Sequence, residues 1–168
     1  MSIRSLRRIT TPSSIPAPDV TTSLFADTSA LLAIFIPREE HHVEARRIYQ
    51  AARAAGRPIL SSTDVFNELV TLLRKRAGAE AAVRVGDALL QGAIRFVSVG
   101  ADIRARAWAL FKAHRWPGLS MTDCGSSAIV TSHRIPEVFT FDDDFRKLGH
   151  DTLPAPKPLL KPRRPRHG

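Results

Sequence analysis

Four short apolar runs, Leu24–Ala26, 59–60, 94–97 and 138–141, are separated by longer stretches in which apolar residues recur at helical spacing. The first, Leu24–Ala26, is too brief and too uniformly apolar for a strand with one wet face. It suits a strand covered on both sides. Strands of that kind alternating with helices predict an α/β chain with a central, mainly parallel sheet between helical layers. Thr152-Leu153 would add a final edge strand. The expected helices run over about 28–36, 39–55, 61–77, 79–91, 101–114 and 120–132, with a short turn over 142–148. Pro37, Gly56, Pro58 and Gly78 serve as stops. Glu39 and Glu40 would lie in a first turn, His41-His42 on a solvated helix start, and Ser61 would cap with Asp64. Ile103, Ala107, Leu110 and Phe111 would share one apolar face.

The chain has 168 residues and a formal charge of +9. Eight of the 25 basic and two of the 16 acidic residues lie in 1–22 and 151–168, leaving 17 against 14 in between. The positive charge is thus concentrated toward the ends, which suits an anionic partner. Residues 1–22 are rich in Ser, Thr, Pro and Arg without periodicity, and 155–168 alternate Pro with basic residues. Both read as disordered tails around a folded domain over 23–154. A transit peptide or a start placed too early are alternatives for the lead-in. The longest apolar run, Ala30 to Ile36, is far below the ~20 residues that span a bilayer. Cys124 stands alone, so no internal disulfide is available, and a reducing, cytoplasmic setting with no membrane is expected.

Four acids stand where chemistry would be expected. Asp27 and Asp142 each follow an apolar strand, and parallel strands bring their C-terminal ends to one edge of the sheet. Glu68 falls roughly 40° beyond the Leu72 edge of its helix's apolar arc, given ~100° per residue. It can reach a cleft beside the core. Asp123 follows Ser120 at capping-box spacing. Each acid has an ordinary explanation: Asp27 and Asp123 as caps, Glu68 as a boundary residue. Together they pose a problem of repulsion, roughly 4 kcal/mol for two charges ~4 Å apart at an effective dielectric of 20. A hard divalent cation would relieve it, and with water and phosphate it could drive hydrolysis at phosphorus. The histidines show no zinc-ligand spacing. An aspartyl-phosphatase would want an acid at position 29, where Ser stands, and no G-x-S-x-G is present.

The fragments Asp27-Thr28-Ser29-Ala30-Leu31-Leu32, Asn67-Glu68-Leu69, Ser120-Met121-Thr122-Asp123-Cys124 and Thr140-Phe141-Asp142-Asp143-Asp144-Phe145 resemble, in order, the motifs of the PIN-domain family. They are most similar to those of its VapC-type ribonuclease toxins. The resemblance spans about 24–154 and implies an α/β/α sandwich. It also implies an endoribonuclease dependent on Mg²⁺ or Mn²⁺, a homodimer, and a small antitoxin partner. Asp27, Glu68, Asp123 and Asp142 would be the catalytic metal ligands, with Asp144 as a further candidate and Thr28, Ser29 and Thr122 in support. The alternative is a non-catalytic RNA-binding or scaffold module of the same fold.

Overall fold

A computed structural model describes residues 20–155, and the tail expectations for 1–19 and 156–168 lie outside the described residues. After a 3₁₀ turn at Val20–Thr22, the chain enters β1 (Leu24–Ala26) and α1 (Thr28–Phe35). α2 (His42–Ala54), β2 (Ile59–Ser62), α3 (Thr63–Ala77) and α4 (Ala79–Ala88) follow. A π-type turn at Leu89–Ala93 leads to β3 (Arg95–Val97), α5 (Ala101–Ala113), α6 (Met121–His133), β4 (Glu137–Phe139), α7 (Asp144–Lys147) and β5 (Thr152–Leu153).

All five strands are parallel, in the order β3-β2-β1-β4-β5. β1 is central and every residue of it is fully buried, which is why it shows no polar alternation. Its side chains still alternate in direction. Leu24 and Ala26 join a core with Leu31, Val65, Leu69 and Leu73 from α1 and α3. Phe25 joins Ile129 and Val130 of α6 and Phe145 of α7 on the opposite face. The result is a three-layer α/β/α sandwich.

The chain builds outward from β1 to β3 on one side, then returns to place β4 and β5 on the other. The order therefore reverses between β1 and β4. In open parallel sheets, the crevice at such a reversal is the usual ligand site. The two strand ends are held together there, with Asp27 N–H donating to the Phe139 carbonyl at 3.0 Å.

Several local expectations are revised. Ser62, not Ser61, caps α3, its Oγ accepting from Val65 N–H. Ser61 belongs to β2, and its hydroxyl donates to the Ala26 carbonyl. α2 begins at His42, and the preceding Glu39 pairs with Arg76 across to α3. His41 stacks on Phe141 and His42 Nδ1 lies 2.8 Å from the Ala33 carbonyl, so this pair docks rather than facing solvent. Phe111 is exposed while Ala107 is buried, so the apolar face of α5 is narrower than its spacing suggests. β4 ends at Phe139, leaving Thr140 and Phe141 between strand and Asp142.

Candidate active site

Asp27 ends β1 and caps α1, with extended backbone (φ −86°, ψ 167°) and its side chain turned back over the first helical turn. One oxygen, Oδ2, accepts three hydrogen bonds: from Ser29 N–H at 3.2 Å, Ser29 Oγ at 2.9 Å and Thr140 Oγ1 at 3.1 Å. The other, Oδ1, is buried and has no hydrogen-bond partner among the described residues. Burial, and then the charge of Asp123, push its pKa from 3.8 up to about 6, against the pull of hydrogen bonds from Ser29 and Thr28. Asp27 is therefore a cap and more than a cap. A carboxylate needed only for capping would not leave one oxygen buried and unused.

Asp123 is held by a complete capping box at the start of α6. Ser120 donates to its Oδ2 from both backbone N–H (2.8 Å) and Oγ (2.7 Å), and Asp123 N–H donates back to Ser120 Oγ. Its pKa is raised, first by burial and then by the charges of Asp142 and Glu68, while the Ser120 bonds oppose the rise. Glu68 is half-buried on α3, and its Oε2 accepts from Thr28 Oγ1 at 2.7 Å. Asp142 is half-buried past β4, with Oδ1 accepting from Asp144 N–H and its own N–H donating to Thr140 Oγ1. Asp123 thus feels Asp27, Glu68 and Asp142, and the four acids gather at one rim from four separate segments.

The neighbouring acids differ. Asp143 is exposed and ion-paired with Arg146. Asp144 is buried and already partnered by Lys147 Nζ at 2.6 Å. Ser29 and Thr28 each bond an acid directly, whereas Thr122 sits half-buried on the first turn of α6. Thr140 was not foreseen. It bridges Asp27 and Asp142, and the only signal was its place just before the Phe-Asp step at a strand end. Asp64 lies one turn before Glu68, and its Oδ2 would lie 3.9 Å from a Cβ built on Gly125, within ordinary contact of α6. Cys124 is fully buried, its thiol pushed up to about 11 by burial and then by Asp123 and Asp144, which suits packing rather than reaction.

The donor set fits a hard divalent cation. It is all carboxylate and hydroxyl oxygen, it holds an orphaned buried carboxylate oxygen, and its acids raise one another's proton affinity. Among the described residues, no three His, Cys, Asp or Glu side chains close into a ready-made ligand shell. Mg²⁺-like ions keep several waters, so such a site does not require a closed shell of protein ligands.

The profile of the PIN domain matches residues 24–151. A curated relative, the 23S rRNA-specific endonuclease VapC20 of Mycobacterium tuberculosis, is 30% identical over 128 residues, covering 75% of this chain and 94% of its own. The crystal structure of Mycobacterium tuberculosis VapC20, described as a Sarcin-Ricin loop cleaving toxin, superposes with a TM-score of 0.68 at 30% identity over 76% of this chain and 96% of that one. A chain of a toxin-antitoxin complex from Klebsiella pneumoniae shares the fold, with a TM-score of 0.51 at 21% identity over 72% of this chain and 87% of that chain. An all-parallel sheet, an acidic rim at its reversal point and a family match across nearly all the described residues lead to one conclusion: this chain belongs to the PIN-domain family.

Proposed function

We propose that this protein is a divalent-metal-dependent endoribonuclease, the toxin of a toxin–antitoxin pair, acting on RNA in the cytoplasm. The observation that carries the reading is the buried Oδ1 of Asp27, without a hydrogen-bond partner among the described residues, on a carboxylate that feels the charge of Asp123, which in turn feels Asp142 and Glu68. The relationship to VapC20 makes 23S rRNA the first substrate to test. By the same relationship, we infer a small antitoxin partner and a homodimer. No described helix is long and apolar enough to cross a membrane.

Asp27, Glu68, Asp123 and Asp142 would hold Mg²⁺ or Mn²⁺. When bound, the ion lowers the pKa of water and neutralises phosphate charge. The chain's own residues prepare that site. Ser29 and Thr140 hold Oδ2 of Asp27, which leaves the buried Oδ1 free of hydrogen bonds among the described residues. Ser120 holds Oδ2 of Asp123, and Thr28 fixes one oxygen of Glu68. With a pKa of about 6, Asp27 is mostly ionised at neutral pH and would offer its negative charge to a cation held there.

The test is cleavage of ribosomal RNA, followed by gel, in Mn²⁺, Mg²⁺ and EDTA, beside a measurement of RNA binding. Asp27→Asn and Asp123→Asn should lower turnover at least 100-fold while binding holds or tightens, since charge near the phosphate is removed. Asp142→Asn should also be severe. Asp143→Asn, whose carboxylate faces solvent, should be mild. Asp144→Asn should fall between them, because its carboxylate is committed to Lys147. RNA binding without metal-dependent cleavage by the unaltered protein would replace the nuclease reading with the scaffold one.

A further inference from the structure

The connection between α5 and α6 carries a surface that the acid site does not use. Trp108 and Phe111 stand on the outer face of α5, 51% and 37% exposed. Their rings stack at 5.8 Å with 15° between planes. Past the end of α5, His114 packs against Trp116 at 4.7 Å. With Lys112 and Arg115 these rings line an open hollow of about 360 Å³, near the low end of small-ligand sites. Lys112 Nζ lies 6.0 Å from the Trp108 ring centre. Exposing two large stacked rings costs solvation that a core position would recover, and neither ring is needed to bury α5, whose fully buried contact is Ala107. Ring faces flanked by cations match a nucleobase with its phosphates better than a purely apolar protein segment.

The hollow also adjoins the acids. Lys147 Nζ sits 5.6 Å from the Trp116 ring centre while bonding Asp144. A Cβ built on Gly118, two residues after Trp116, would lie 3.8 Å from Asp144 Oδ2, and Ser120, two further on, anchors Asp123.

The geometry points to a stacking platform: Trp108 and Phe111 take an unpaired base of the RNA, and Lys112 and Arg115 take the neighbouring phosphates. This reading of the ligand rests on the proposed ribonuclease function. The platform selects a single-stranded segment beside the acidic rim. Paired bases, stacked within a duplex, do not offer the free face it needs.

The test uses the full chain in EDTA, so that nothing is cut, with fluorescent oligouridylate eight nucleotides long and an abasic strand of equal charge. Trp108→Ala and Phe111→Ala should each weaken oligouridylate binding about tenfold, the scale of losing one stacked base. They should leave abasic binding unchanged. Trp108→Phe should restore most of the loss, a rescue that a general folding defect would not show. Lys112→Ala should weaken both strands alike and flatten the salt dependence. Unchanged oligouridylate affinity in the two alanine variants, equal losses on the abasic strand, or equal competition by an RNA duplex would overturn the platform. The two readings fail separately. Base-dependent binding without cleavage in Mn²⁺ keeps the platform and removes the nuclease. Cleavage with KM unaltered by Trp108→Ala keeps the nuclease and removes the platform.

Discussion

At the scale of the residue, Asp27 holds the main tension in the molecule. Its folded pKa of about 6 lies above the ordinary 3.8 because burial disfavours the charge. A raised carboxylate pKa means the folded state binds the proton more tightly than the unfolded one. The stability this supplies is complete below pH 3.8 and is lost as pH rises through about 6. At neutral pH the metal-free protein forgoes on the order of 3 kcal/mol relative to a protonated Asp27. Thermal melting of the metal-free protein should therefore show a contribution that falls from pH 4 to pH 7, and Asp27→Asn should remove it. An Asp27→Asn profile parallel to that of the unaltered chain would refute the assignment. The sequence made Asp27 visible through its place after an apolar run. It could not show Thr140 as the second clamp, because that contact joins residues 113 apart and no local pattern encodes it.

At the scale of the element, α6 shows how one device serves two ends. Ser120 stabilises the helix start and, through the same bonds, fixes Asp123. Ser120→Ala should cost about 1 kcal/mol of stability, near 3 °C in Tm for a domain of this size. It should lower turnover as well, because Asp123 Oδ2 loses the Ser120 hydroxyl and keeps only the backbone N–H of residue 120 as a donor. Calorimetry and the RNA assay on one sample would separate these effects, and unaltered turnover would deny Ser120 its positioning role. Capping boxes are local, so this one was readable from Ser120-x-x-Asp123. The misplaced cap at Ser61 has a physical cause: Ser61 and Ser62 are adjacent hydroxyls, and only the register of β2 against β1 decides which points into α3. Likewise, α4 gives way to a π-type turn at Leu89 and passes through Gly92 at φ +105°, while helical spacing continues unbroken to Gln91. The exposed rings of α5 escaped the sequence reading because an aromatic at helical spacing looks like core until its neighbours are known.

At the scale of the whole molecule, acids from four segments raise one another's proton affinity across one rim. Mg²⁺ or Mn²⁺ should raise the melting temperature, since an ion that favours the folded state stabilises it by mass action. The response should survive in a shortened chain of residues 20–155, if the ends outside the described region contribute charge rather than core. It should shrink in Asp27→Asn and Asp123→Asn. A response unaffected by both substitutions would mean that the ion binds elsewhere. The sheet order itself was only half legible: periodicity announces parallel strands, but which strand neighbours which depends on pairings between distant segments.

The reversal of strand order has a consequence for how the protein is made. β1 is synthesised early, yet its partner β4 begins only at Glu137, against which Leu24 is registered. Until that segment leaves the ribosome, β1 has an open edge, Phe25 lacks Val138 beside it, and Asp27 has neither Thr140 nor Asp142. Contacts so distant along the chain form late. A chain ending at residue 136 should thus be unfolded by circular dichroism and inert toward RNA, with no partial activity to detect. Under the proposed ribonuclease function, this arrangement keeps the enzyme harmless to the message and the ribosome from which it is still emerging.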